Sequence, residues 1–153
     1  MIFDRTQTHV NDALKIRKEK LQNFQEITDD EKAILDRGFV TIDTLNRIEN
    51  KTEELKNKFE SDFYLVDKIT VKNWGYTDYF NASEFDRILN NLDLLKKAYY
   101  IYSTTPNTPD AKYEYTVFND LERGLYDLER MITDIHEHYR YCGQIECGGE
   151  TND

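Results

Sequence analysis

The sequence predicts an all-α protein, mainly α-helical, built as a single bundle of about five helices with room for one small β hairpin at one end. Three observations carry this. Four stretches place apolar residues in steps of three and four, the spacing of one helix face. The one alternating run is short, with Ile69 and Val71 set between Lys68, Thr70 and Lys72. Both prolines, Pro106 and Pro109, fall in one connecting loop, where they end a helix instead of breaking one. The 153 residues read as one domain, 1–153, with a flexible tail from about residue 148.

The first helix is predicted to open at Asp4 or Thr6, either of which can cap it. Its stripe is Val10, Leu14, Leu21 and Phe24, widened by Ala13 and Ile16, with Ile2 and Phe3 packing back as a staple. The cluster Lys15, Arg17, Lys18 and Lys20 reads as a solvated face. Thr28 to Glu31 reads as a capping box that opens a short helix to Arg37. Ala33, Ile34 and Leu35 are its expected inward residues, and Gly38 its expected stop. Thr41 or Asp43 starts a third helix, to about Phe63, with Leu45, Ile48, Thr52, Leu55, Phe59 and Asp62 or Phe63 inward. Two polar residues in that seam imply that part of it lies near the surface.

Residues 65–80 break the helical pattern and gather Trp74, Tyr76, Tyr79 and Phe80 around Gly75. Such a cluster either stacks on sugars or a partner, or folds over the bundle end with its rings inside. Asn81 or Ser83 caps the fourth helix, whose seam is Phe85, Ile88, Leu92, Leu95, Tyr99 and Tyr102. The fifth helix, Tyr115 to Tyr141, is the longest uninterrupted pattern. At about 25 residues it would be about 37 Å long, enough for a central pillar. Val117, Leu121, Leu125, Leu128, Ile132, Ile135 and Tyr139 form its apolar face. Asp120, Glu122, Asp127, Glu129, Arg130, Asp134 and Glu137 mostly take the other face. Gly124 inside it is either tolerated or marks a backbone passing close by. Gly143, Gly148 and Gly149 rule out helix beyond Tyr141 but permit a hairpin around Ile145, pairing with Ile69 to Val71.

A net charge of −10 disfavours nonspecific binding to nucleic acid or an anionic membrane. No apolar run approaches the 18 or so residues of a transmembrane helix. The N-terminus lacks the basic and apolar regions of a signal peptide, so synthesis and residence inside a cell are expected. His136, His138, Cys142 and Cys147 fall within twelve residues, but two helical positions set the histidines about 200° apart. No metal and no cofactor are expected. Phosphate loops, dinucleotide motifs, nucleophile elbows and zinc-protease motifs are absent. The expectation is therefore a protein that is not an enzyme and has no catalytic residues.

IFDRT followed by a helix, TIDTLNRIENKTEEL, the Trp74 loop and SEFDRILNNLDLL stand in one collinear order. The two-proline loop, YEYTVFNDLERGLYDLERMI and YCGQIECGGE complete it. This pattern resembles small proteins encoded in the tail, baseplate and fibre region of phages and prophages of Firmicutes. The resemblance spans nearly the whole chain and its motifs are structural. Proteins of that kind carry Ser in place of Cys142 and Cys147, in YSGE-like repeats, which implies that the cysteines are incidental. The resemblance implies a non-enzymatic structural or accessory protein acting through contacts with tail, baseplate or fibre proteins. It would sit in the virion, or in the host cytoplasm before assembly, with oligomers allowed. Two alternatives stand beside it: a module binding cell-wall carbohydrate through the Trp74 cluster, and an assembly chaperone for the tail or fibre. The expected interaction surface is Trp74, Tyr76, Tyr79, Phe80 and Ile145, since aromatics are enriched at interface cores.

Overall fold

Five α-helices and one 3-10 turn make up the fold in the computed structural model, which describes residues 1–62, 64–98, 101–110, 112 and 114–142. They are α1 (Gln7–Glu19), the 3-10 turn (Leu21–Asn23), α2 (Asp29–Gly38), α3 (Ile42–Ser61), α4 (Ala82–Ala98) and α5 (Tyr115–Cys142). The fold is all-α, and no strand occurs among the described residues. Short polar side chains open the helices. Thr6 and Thr28 each form a reciprocal capping box, with His9 and Glu31. Thr41 caps α3, and the Asn81 side chain accepts the Glu84 N–H at 3.0 Å at the start of α4.

The core belongs to α3, α4 and α5. Leu45, Ile48, Leu55 and Phe59 from α3 meet Phe85, Ile88, Leu92 and Leu95 from α4. Val117, Phe118, Leu121, Leu125, Leu128, Met131 and Ile132 from α5 complete the cluster. Rings run through it in sequence: Trp74 against Phe80, Phe80 against Phe85, and Phe85 stacked on Phe118 at 5.2 Å. Gly124 marks a close approach between helices. A Cβ there would lie 3.2 Å from Leu92 Cδ1 and 3.4 Å from Lys96 Cε. Leu92 and Leu128 are each 1% exposed, so Leu92→Ala or Leu128→Ala should cost about 2–5 kcal/mol. Denaturant melts of both variants test this; near-neutral shifts in both would mean that these residues do not carry the core.

Residues 1–6 run as a strap along α5. Arg5 N–H donates to Asn119 Oδ1 at 3.0 Å, and Asn119 Nδ2 donates back to Arg5 O at 2.9 Å. The Arg5 guanidinium pairs with the fully buried Glu122 at 2.8 Å, where Arg47 of α3 also donates at 2.9 Å. The Ile2 N–H donates to the same carboxylate. Phe3 packs on Tyr126, its ring centroid 5.3 Å away, with the Arg123 guanidinium over its face.

Several expectations change. Ile2 and Phe3 contact α5, so they do not staple α1. Glu122 and Asp127 are buried, although their charge pointed to the solvent face; the strap arginine and Arg123 compensate them. Thr52 is buried as well, since its hydroxyl donates to Ile48 O at 2.9 Å and the backbone absorbs its polarity. The seam of α3 therefore stays inside at that point. Of the α1 stripe only Ala13 is buried. Leu14, Leu21 and Phe24 are exposed; the helix ends at Glu19, before Leu21, and the chain turns off through left-handed Phe24 (φ 54°). In α2, Leu35 is buried and Ala33 exposed. Gly38 is the last residue of α2, as expected of its stop, and its small size also lets the helices meet: a Cβ there would sit 2.2 Å from Ala13 Cβ and 2.5 Å from His9 O. Ile69 and Val71 are half-buried, and neither lies in a strand. Phe63, Tyr99, the Tyr139 side chain, the hairpin expected around Ile145 and the tail from 148 lie outside the described residues.

Candidate functional site

The segment between α3 and α4, residues 62–81, carries most of the expected surface. Four polar side chains on the two flanking helices hold it where a strand partner would otherwise be needed. Asn46 of α3 accepts the Trp74 N–H at 2.7 Å and donates to Trp74 O at 3.1 Å. Glu49, one turn on and 2% exposed, accepts the Trp74 indole N–H at 3.2 Å. Arg87 of α4 pairs with Glu49 and donates to Thr70 O. Asn91 donates to the same carbonyl at 2.8 Å. Each satisfies backbone or charge that burial would leave unpaired. Burial pulls the Arg87 guanidinium down, but Glu49 and Glu84 outweigh it, so its net shift is upward.

This framework divides the aromatic cluster in two. Trp74 is 4% exposed and lies in the core; Phe80 is half-buried against it. Trp74 therefore leaves the expected surface, because its indole N–H finds a buried acceptor and its ring finds Phe80. Lys72 Nζ covers the ring 4.1 Å from its centroid. Tyr76 and Tyr79 point outward, 98% and 80% exposed. Between them the Gly75–Asp78 turn is fixed by the Gly75 N–H donating to Asp78 Oδ2 at 2.7 Å and Asp78 N–H to Gly75 O at 3.1 Å. The Gly75 N–H, then Lys72, hold the Asp78 carboxyl below its ordinary range. The result is a braced turn presenting two tyrosines. Ile145 lies outside the described residues.

Sequence reading missed the residues that do the bracing. Asn46 and Glu49 are three apart on α3, and Arg87 and Asn91 four apart on α4, so each pair shares one helix face. Polar pairs on the edges of two apolar seams were the available signal.

Of the clefts elsewhere, two border α5. One of about 580 Å³ opens between α1, α2 and the start of α5, lined by Arg5, Val10, Arg37, Phe39, Tyr115 and Phe118 among others. Its cations are engaged, Arg5 by Glu122 and Arg37 by Asp4 at 3.1 Å. The other, about 660 Å³, is an open trough over α3 and α5 with Asn50, Lys51, Tyr126 and Glu129 in its walls. Among the described residues, no group of three or more His, Cys, Asp or Glu could hold a metal ion. His136 Nε2 lies 2.7 Å from Asp62 Oδ2 and links α5 to the end of α3; His138 is exposed. The Cys142 side chain and Cys147 are outside the described residues.

Lys96 is the one buried lysine among the described residues. Its Nζ donates to Pro106 O at 2.6 Å, beside Thr105, whose hydroxyl donates to Asp127 at 3.1 Å. Burial pushes its pKa down against the opposing pull of Asp93, Asp120 and Asp127. The unfolded chain then binds this proton more tightly than the folded one. Its contribution to stability should rise with pH between the lowered folded pKa and the ordinary lysine value of about 10.4. Lys96→Met should flatten that part of the stability–pH curve. An unchanged slope in the variant would assign it to other groups.

No helix among the described residues is long and apolar enough to cross a membrane. No family model, curated protein or solved structure matches the chain.

Proposed function

We propose that this protein is a non-enzymatic structural or accessory component of the tail, baseplate or fibre region of a phage or prophage, working through protein–protein contacts. The observation that carries the reading is the collinear resemblance running from IFDRT to YCGQIECGGE. The way its charged side chains are used fits such a role. Arg5, Arg47, Glu49, Arg87 and Glu122 tie backbone segments and helices together. Mass spectrometry of purified particles tests the proposal. The protein should be present in stoichiometric amount; its absence from particles, with transient binding to a tail protein during assembly, would favour a chaperone.

A second reading rests on Tyr76 and Tyr79. Two outward rings on a braced turn suit stacking against the apolar faces of sugars. In this reading the module binds cell-wall carbohydrate through these two residues, without Trp74. Pelleting with purified cell walls separates the readings: retention lost in Tyr76→Ala/Tyr79→Ala supports the glycan module, and no retention of the parent protein excludes it.

A further inference from the structure

Residues 7–38 stand apart from the bundle. α1 packs on α2, with Gly38 set against Ala13 and the His9 carbonyl. Among the described residues, neither helix makes more than glancing contact with α3, α4 or α5. The core cluster takes no residue from 7–38, and neither do the half-buried apolar residues packed against it. Few buried apolar contacts with the surroundings mark a unit that opens readily. The hairpin is nonetheless closed on itself. Ala13 and Leu35 are buried, both helices start in capping boxes, and Lys20 pairs with Glu31 at 2.6 Å.

Both chain connections leave the hairpin at one end, where the start of α1 meets the end of α2. One is the linker 39–41, with extended backbone at Phe39 and Thr41. Across it the Thr41 hydroxyl donates to Asp36 Oδ1 at 2.8 Å. The other connection is the residue 1–6 strap, which Arg37 meets by pairing with Asp4 at 3.1 Å on the surface. Farther out, Lys32 comes only within 3.9 Å of Asp43, both largely exposed, a pair of little weight. The firm hold on the bundle is Arg5, whose side chain is 3% exposed against the fully buried Glu122.

We propose that residues 7–38 are an arm, hinged at 39–41 and latched by Arg5 on Glu122, whose swing opens and closes the cleft at its base. The walls of that cleft belong to different units. Val10, Phe39 and Val40 come from the arm and its hinge, and Tyr115, Thr116 and Phe118 from the start of α5. Its width therefore follows the angle of the arm. The latch is built to release. Glu122 is shared, so when Arg5 leaves, Arg47 still donates to it at 2.9 Å and no buried carboxylate is left alone. Arg5 is hydrated as it leaves, so neither charge is stranded. Ile2 and Phe3 can keep their places on α5 while residues 4–6 give, and no part of the core cluster has to separate.

Pulsed electron–electron distance measurement on the full chain tests the arm, with Cys142→Ser/Cys147→Ser to leave only introduced thiols. Spin labels at Lys18→Cys on the arm and at Asn57→Cys or Lys97→Cys on the bundle, all exposed positions, read the swing. A pair at Asn11→Cys and Ala33→Cys, exposed as well, reads the arm itself. Both arm–bundle pairs should show two populations, and Arg5→Met should raise the open one about threefold or more. The pair within the arm should keep a single, unchanged distance. Should Arg5→Met fail to fold, the parent protein decides: one narrow distance from Lys18 to both bundle positions overturns the proposal. So do two populations that a folded Arg5→Met leaves unchanged. A distance within the arm that broadens together with the others also overturns it, since the hairpin would then unravel instead of swinging.

Discussion

Glu122→Ala should lower the unfolding free energy by about 3–5 kcal/mol, the loss expected when one partner of a buried ion pair is removed. The Glu122 side chain is fully buried, and the Arg5 side chain is 3% exposed. The variant therefore leaves the buried Arg5 guanidinium facing a hole. Arg47 can swing toward water, with its side chain 27% exposed, and softens the loss only at the rim. The Ile2 N–H also loses its acceptor. The residue 1–6 strap should therefore loosen together with the global loss. Denaturant titration reads the effect as a lower midpoint at a similar slope. Limited proteolysis should cut the first residues of the variant sooner than those of the parent. Replacing both members, Arg5→Met/Glu122→Met, should recover much of the stability, because a buried pair replaced by apolar side chains of similar size is often neutral. A loss below about 1 kcal/mol for Glu122→Ala, within the range of surface pairs, would mean that this carboxylate finds water.

That prediction concerns a residue whose place the sequence did not reveal. Periodicity reported the described seams of α4 and α5 faithfully, since Phe85, Ile88, Leu92 and Leu95, and Val117, Leu121, Leu125, Leu128 and Ile132, all lie in the core cluster. The same kind of pattern misled at α1. Val10, Leu14 and Leu21 keep helical spacing, but period tells which residues share a face and not what lies opposite. The 3-10 turn and left-handed Phe24 then carry the chain away from the bundle. Glu122 and Asp127 were read by charge, which places a carboxylate in water unless a cation far along the chain comes to meet it. Arg5 lies 117 positions from Glu122, a separation that no local pattern encodes. The cap at Thr28 was legible because its partner, Glu31, is three residues away.

Trp74→Ala should cost about 3–5 kcal/mol, as for other large aromatic deletions in a core. The indole touches Phe80, donates to Glu49 and lies under Lys72. Its removal opens a void at the end of the ring sequence that leads to Phe118, and it takes one donor from a carboxylate that is 2% exposed. Arg87 keeps Glu49 paired, so the void should dominate the loss. The segment bearing Tyr76 should loosen in the same step, because Trp74 is its only fully buried side chain among the described residues. Tyr76→Ala should instead change stability by no more than about 0.5 kcal/mol, as at ordinary surface sites, since the Tyr76 ring is 98% exposed. The two variants thus separate framework from contact. If the Tyr76 and Tyr79 turn binds a tail protein or a glycan, Tyr76→Ala should weaken capture while its melt stays put. Trp74→Ala should weaken capture only as far as it melts the loop, with binding recovering on cooling. Melts and pull-downs of both variants at two temperatures decide the matter. A Trp74→Ala protein that melts with the parent but no longer binds would return the indole to the surface and overturn the buried arrangement around Glu49.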